Sequence, residues 1–104
     1  MTRAVIPRER ANRDVDEAVD FYLRSAGETV ALAFIDDLER AYAHVAQHPP
    51  SGSLRVAYEL GLPGLRAWPL TQHPFVIFYM ERADHTDIWR VLHGAHDLPD
   101  WLQR

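Results

Sequence analysis

Apolar residues recur along this chain with two periods. From Arg8 onward, Ala11, Val15, Ala18, Val19 and Tyr22 fall three and four positions apart, which puts them on one face of a helix. Arg10, Arg13, Asp14, Asp16, Glu17 and Asp20 fill the positions between and predict its wet face. Gly27 suits a left-handed stop for that helix. A second stripe follows at once: Val30, Phe34, Leu38, Ala41 and Val45, widened by Ile35 and Tyr42. Ser25 and Glu28 have capping-box spacing, which competes with the stop at Gly27. Either way, two amphipathic helices joined by so few residues fold back as an antiparallel hairpin. The run His48-Pro49-Pro50-Ser51-Gly52 ends the second helix.

The other period is that of strands. Residues 2–6 are short and mildly β-prone, and Pro7 ends them. Residues 53–64 show no clear period, and Gly61-Leu62-Pro63-Gly64 is turn chemistry. Residues 65–70 alternate, with Pro69 predicting an edge strand or a bulge. Residues 75–80, FVIFYM, are apolar throughout, as in a central strand buried on both faces. Residues 81–85 read as a hairpin loop, 86–93 as a further strand and 98–103 as a short C-terminal helix. The expectation is one α+β domain over residues 1–104. It has a short N-terminal strand, then an α-helical hairpin packed on a three- to four-stranded antiparallel β-sheet.

Composition narrows the function classes. A chain of 104 residues, 47% hydrophobic and 25% charged, suits one ordinary folded domain. It has no cysteine, so neither disulfides nor thiol chemistry contribute. No apolar run is long enough to span a bilayer, and the first residues lack the apolar stretch of a secretory signal. A cytoplasmic protein without membrane contact is expected. The net charge of −4 and scattered arginines argue against a general grip on a phosphate backbone, so sequence-specific nucleic-acid binding is not expected.

The order of these elements, with Gln72-His73-Pro74-Phe75-Val76-Ile77-Phe78-Tyr79 and Val91-Leu92-His93-Gly94 followed by Asp97-Leu98, resembles the RelE/ParE toxin superfamily, nearest its ParE-like branch. The resemblance spans nearly the whole chain. It implies a toxin of a bacterial type II toxin–antitoxin system, silenced by a cognate, ParD-like antitoxin in a hetero-oligomer and needing no cofactor. ParE-like members are associated with poisoning of DNA gyrase, and RelE-like members with cleavage of mRNA on the ribosome. Metal-free ribonuclease chemistry needs a base, an acid and positive charge at the scissile phosphate. By the resemblance, Val76 stands where such members carry an arginine, His96 takes the basic position after the glycine, and Trp101 lies near where a tyrosine is usual. These departures favour a binding protein over an enzyme, with a ribosome-dependent endoribonuclease as the alternative. A non-toxic protein that keeps only the antitoxin-binding role is a further reading.

Two sets of residues are candidates for contacts. Arg66, Trp68, Arg90, His93 and His96 are candidates for meeting a target, with Arg66 and Arg90 expected on a sheet face that the helices leave uncovered. Val19, Tyr22, Leu23, Phe34 and Leu38 are more apolar bulk than one helical face needs, and are candidates for an antitoxin groove. His93, His96 and Asp97 have metal-ligand chemistry, but strand residues three apart face opposite ways. No metal site and no catalytic residue is therefore assigned. His73 and His85 read as solvated turn residues, and Arg82 as a loop charge.

Overall fold

The computed structural model describes residues 4–94. The helix expected at 98–103, together with His96, Asp97 and Trp101, lies outside the described residues.

The chain forms β1 (Ala4–Pro7), α1 (Glu9–Ser25), α2 (Glu28–Gln47), a 3-10 turn (Pro49–Ser51), α3 (Arg55–Leu60), β2 (Arg66–Pro69), β3 (Phe75–Glu81) and β4 (His85–His93). The two long helices form the expected hairpin. Gly27 makes the joint with a φ of 97°, a value that side chains rarely adopt. The N–H groups of Ala26 and Gly27 both donate to the Tyr22 carbonyl, so α1 closes just as α2 begins. Gly27 thus serves as the last turn of one helix and the first cap position of the next. That resolves the competition between the two signals.

The sheet has the order β1-β4-β3-β2. β2, β3 and β4 form the antiparallel meander. β1 differs from expectation: it lies parallel to β4, pairing Ala4 with His85 and Pro7 with Ile88. The sheet is therefore mixed. Parallel neighbours need a long crossover, and everything between β1 and β4 supplies it. Pro69 ends β2 at an edge of the sheet, as its missing N–H requires.

The apolar run in β3 is explained by a core on each sheet face. Toward the hairpin, Phe75, Ile77 and Tyr79 pack with Phe34, Leu38 and Val45 of α2 and with Ile88 and Val91 of β4. On the other face, Phe78 packs with Ala57 of α3 and with Leu65. Burying a side chain such as Phe34 stabilises the fold by about 1.5–3 kcal/mol. Helix α3 has no counterpart in the sequence reading. Its six residues make fewer than two turns, too short for a period to show.

One node ties the turn after α2 to the sheet. The buried Tyr79 hydroxyl donates to the Pro49 carbonyl at 2.6 Å and accepts from the Gly52 N–H at 3.0 Å. Burial pushes this phenol up from its ordinary pKa, against the lowering influence of the Gly52 N–H and Arg66. A Cβ on Gly52 would sit 2.8 Å from a Tyr79 ring carbon and 2.9 Å from Arg66 Cβ. Only glycine fits there.

Candidate functional site

β4 is longer than the strand that shields it. β1 stops pairing at Ile88, and the Arg8 N–H makes the last bond of that ladder, 2.9 Å to the Ile88 carbonyl. Beyond it, α1 runs alongside β4. Asp14 of α1 takes the place of a neighbouring strand, and its carboxylate accepts the Val91 N–H at 3.0 Å. The same carboxylate receives two bonds from Arg90, at 2.8 and 2.9 Å. These bonds, foremost, hold the guanidinium in its charged form. β4 also carries a bulge here: register slips between Phe78 and Tyr79, leaving Trp89 as the extra residue.

The next stretch of edge is bordered by a groove. A cavity of about 350 Å³ lies between α1 and the end of β4, lined by Asp14, Glu17, Ala18, Phe21, Phe75, Val91, Leu92 and His93. Its floor is apolar and one wall is acidic. Phe21 stands at the rim, 56% exposed. Phe21 falls off the main apolar stripe of α1. A large aromatic on the wet flank of an amphipathic helix was the available signal.

Two further carboxylates are structural. Asp37 of α2 is 1% exposed and accepts from the Gln72 N–H at 2.9 Å, with His73 Nδ1 at 2.7 Å. Burial would raise its pKa, but His73 and the backbone donors of Gln72 and Thr71 outweigh this and hold it below the usual carboxylate range. His73 is thus no solvated turn residue. Its ring packs edge-on against Tyr22 and Phe34 and ties the β2–β3 loop to the hairpin. Asp87 of β4 collects Arg8 through two bonds of 3.0 Å, Arg82 through bonds of 3.1 and 3.0 Å, and the Trp89 indole N–H at 3.3 Å. Again burial acts upward and is outweighed, chiefly by Arg8 and Arg82, so the carboxyl titrates below its ordinary range. Arg8 also lies 4.4 Å over the Trp89 ring. Arg82 is a charge of the β3–β4 loop, exposed, that also serves as an ion-pair partner of Asp87.

The candidate contact residues separate on this frame. Phe34 and Leu38 are core, not surface, because the hairpin closes directly on the sheet above them. Tyr22 is partly buried, with its ring against Phe34 and Phe75, and Val19 packs beside the same core. Of that set, Leu23 is 46% exposed. Asp14, expected on the wet face, is buried. Arg66 pairs in register with Tyr79 and Trp68 with Ile77, whose side chains face the hairpin, so Arg66 and Trp68 lie on the covered side of the sheet. The Arg66 guanidinium donates to the carbonyls of Pro50 and Gly52 at 3.0 and 2.9 Å. Trp68 stacks on His44 with ring centroids 4.0 Å apart. Arg90 pairs in register with Phe78, whose side chain faces away from the hairpin, and its guanidinium is held by Asp14. The two arginines are therefore committed to different partners and do not converge on one pocket. His93 is exposed at the groove, with Phe75 packed edge-on against its ring.

Comparison with known proteins supplies what the geometry does not. The family described as "ParE toxin of type II toxin-antitoxin system, parDE" matches residues 5–98. Among solved structures, one titled "Chromosomal ParDE TA system from P. aeruginosa" superimposes with a TM-score of 0.75 at 21% identity. The match covers 90% of this chain and 98% of that one, and at this identity it speaks to the fold. No curated protein sequence matches the chain. Among the described residues no helix is long and apolar enough to cross a membrane.

Proposed function

Because the chain belongs to the ParE toxin family of type II toxin–antitoxin systems, we propose that it acts by binding a protein target, DNA gyrase in the first instance, and is neutralised by a cognate ParD-like antitoxin in a toxin–antitoxin hetero-oligomer. The reading places it in the cytoplasm. The observation that carries it is the family match over residues 5–98. What the structure adds in support is the commitment of Arg66 and Arg90 to separate internal partners. Phosphodiester cleavage needs charge preorganised at one phosphate. A binding protein needs instead accessible apolar area with specific polar edges, and the α1–β4 groove offers that.

A supercoiling assay with the purified protein tests the target. The expected result is loss of gyrase activity with a trapped cleavage complex. Neither effect at high protein excess removes gyrase from the proposal. Specific message cleavage in a translating extract, lost on changing Arg66 or His96, replaces it with the ribonuclease reading. Normal growth on expression without antitoxin means that toxicity has been lost and the antitoxin-binding role alone remains.

A further inference from the structure

The two faces of the sheet are covered unequally. The hairpin closes one face, while on the other α3 lies over β2 and the buried Phe78. The β1–β4 half of this second face carries Ile6, Met80, Trp89 and Leu92. Ile6 and Met80 both pair in register with Asp87, so their side chains share one side of the sheet. Ile6 is 52% exposed there, and Met80, Trp89 and Leu92 are half-buried. The bulge in β4 supplies the unusual member of the set. Ile88 and Val91 both turn into the core beneath the hairpin, so the two residues between them, Trp89 and Arg90, fall on the opposite side. Arg90 reaches the strand's outer edge and is held by Asp14, whereas Trp89 stays on the face with Arg8 stacked 4.4 Å over its ring. Bulges that re-aim a side chain gather beside functional sites. A tryptophan packed under an arginine is the side-chain chemistry that dominates protein–protein contacts.

Charge at this face is layered in depth. The Asp87 side chain, 10% exposed, lies beneath those of Arg8 and Arg82, which are 48% and 42% exposed. Solvent therefore meets the two guanidinium groups first and the carboxylate that holds them last. Asp84, in the adjoining turn, is bonded to His85 at 2.7 Å. The acidic excess of the chain sits on the other layer: residues 9–47 carry nine carboxylates against four arginines, while the remaining described residues carry four against five. A partner drawn to the Trp89 face by charge is accordingly acidic. The geometry points to this half of the sheet, centred on Trp89, as the surface that takes the target protein. The segment it takes sets aspartate or glutamate against Arg8 and Arg82, and lays apolar side chains against Ile6, Met80 and Leu92. Calling the partner the target rests on the toxin reading above. The sheet face and the acidic character of the segment go beyond that reading.

The test turns on the sign of one exposed side chain. Ile6→Glu and Ile6→Lys remove the same apolar contact and differ only in charge, and thermal melting checks that both variants fold. Random ten-residue peptides are displayed and selected on the full wild-type chain. Winners are expected to carry aspartate or glutamate beside apolar residues, and their affinity should fall with added salt. They should bind Ile6→Glu about tenfold more weakly than Ile6→Lys, while Leu23→Ala, on the hairpin, leaves binding unchanged. Basic or uncharged winners overturn the inference, as does equal binding to the two Ile6 variants. In the supercoiling assay, Ile6→Glu should need about tenfold more protein than Ile6→Lys for the same inhibition. Inhibition by wild type and equally by both variants keeps gyrase as the target and rejects this face. No inhibition by wild type removes gyrase, and the peptide arm then decides the inference alone. An antitoxin whose co-purification is lost in Ile6→Glu and kept in Ile6→Lys overturns it, because the occupant would then be the antitoxin. So does a concentration-dependent dimer with the same dependence, because the occupant would then be a second copy.

Discussion

Asp14 performs two tasks that a single experiment can separate. It neutralises Arg90, and it accepts the Val91 N–H that no strand reaches. The two side chains are 15% and 7% exposed, so the pair is poorly screened by water. Replacing Asp14 with alanine leaves a guanidinium without its counter-charge, at a cost of about 3–5 kcal/mol. Against a total stability of about 5–15 kcal/mol, that leaves little margin. With a urea dependence of about 1–2 kcal/mol per molar, the unfolding midpoint should drop by about 1.5–5 M. The double variant Asp14→Leu with Arg90→Met removes both charges and restores apolar packing. Replacement of a whole buried pair is often near neutral, so most of the loss should return. What stays lost is the Val91 N–H bond, worth about 1–3 kcal/mol when a buried donor is orphaned. Urea unfolding of wild type, Asp14→Ala and the double variant checks this. A loss below about 1 kcal/mol in Asp14→Ala refutes the structural role. A double variant as unstable as Asp14→Ala refutes the division between ion pair and edge cap.

Further outcomes follow from the other nodes. Gly52→Ala forces a methyl into the Tyr79 ring and Arg66 Cβ, so thermal melting should show a loss of about 1–3 kcal/mol. Tyr79→Phe leaves the Pro49 carbonyl and Gly52 N–H without their shared hydroxyl and should cost about 1–3 kcal/mol in the same assay. Asp37 and Asp87 both titrate below their ordinary range in the folded chain. Their contribution to stability is therefore full above about pH 4, the unfolded carboxyl value, and fades as pH falls through the lower folded values. Asp87→Asn should accordingly differ most from wild type near neutrality, and the gap between their denaturant midpoints should shrink on acidification. A gap that is constant with pH refutes the depressed titration of Asp87.

The long periodic segments were legible in the sequence because each needed only one partner surface. The stripes of α1 and α2, the punctuation at residues 48–52, the edge character that Pro69 gives β2 and the two-sided burial of β3 all follow from side-chain spacing and from which backbone groups can bond. The motif order also carried the family, which the match over residues 5–98 agrees with. Spacing could not show α3, which is too short, or the parallel placement of β1, which depends on a crossover of most of the chain. It also misplaced the polar residues that tertiary contact consumes. Asp14, Arg66 and His73 look solvent-facing in a linear pattern, because a charged group is buried only where a distant partner meets it, and the partners of Asp14 and Arg66 lie 76 and 14 residues away. Phe34 and Leu38 look available for the same reason, since an apolar stripe has no mark distinguishing core from docking surface. The sequence by itself determined the two long helices, the strands and the kind of protein they make. The groove at Phe21 and His93 arose only in three dimensions, where β1 ends before β4 does and α1 takes over the uncovered edge.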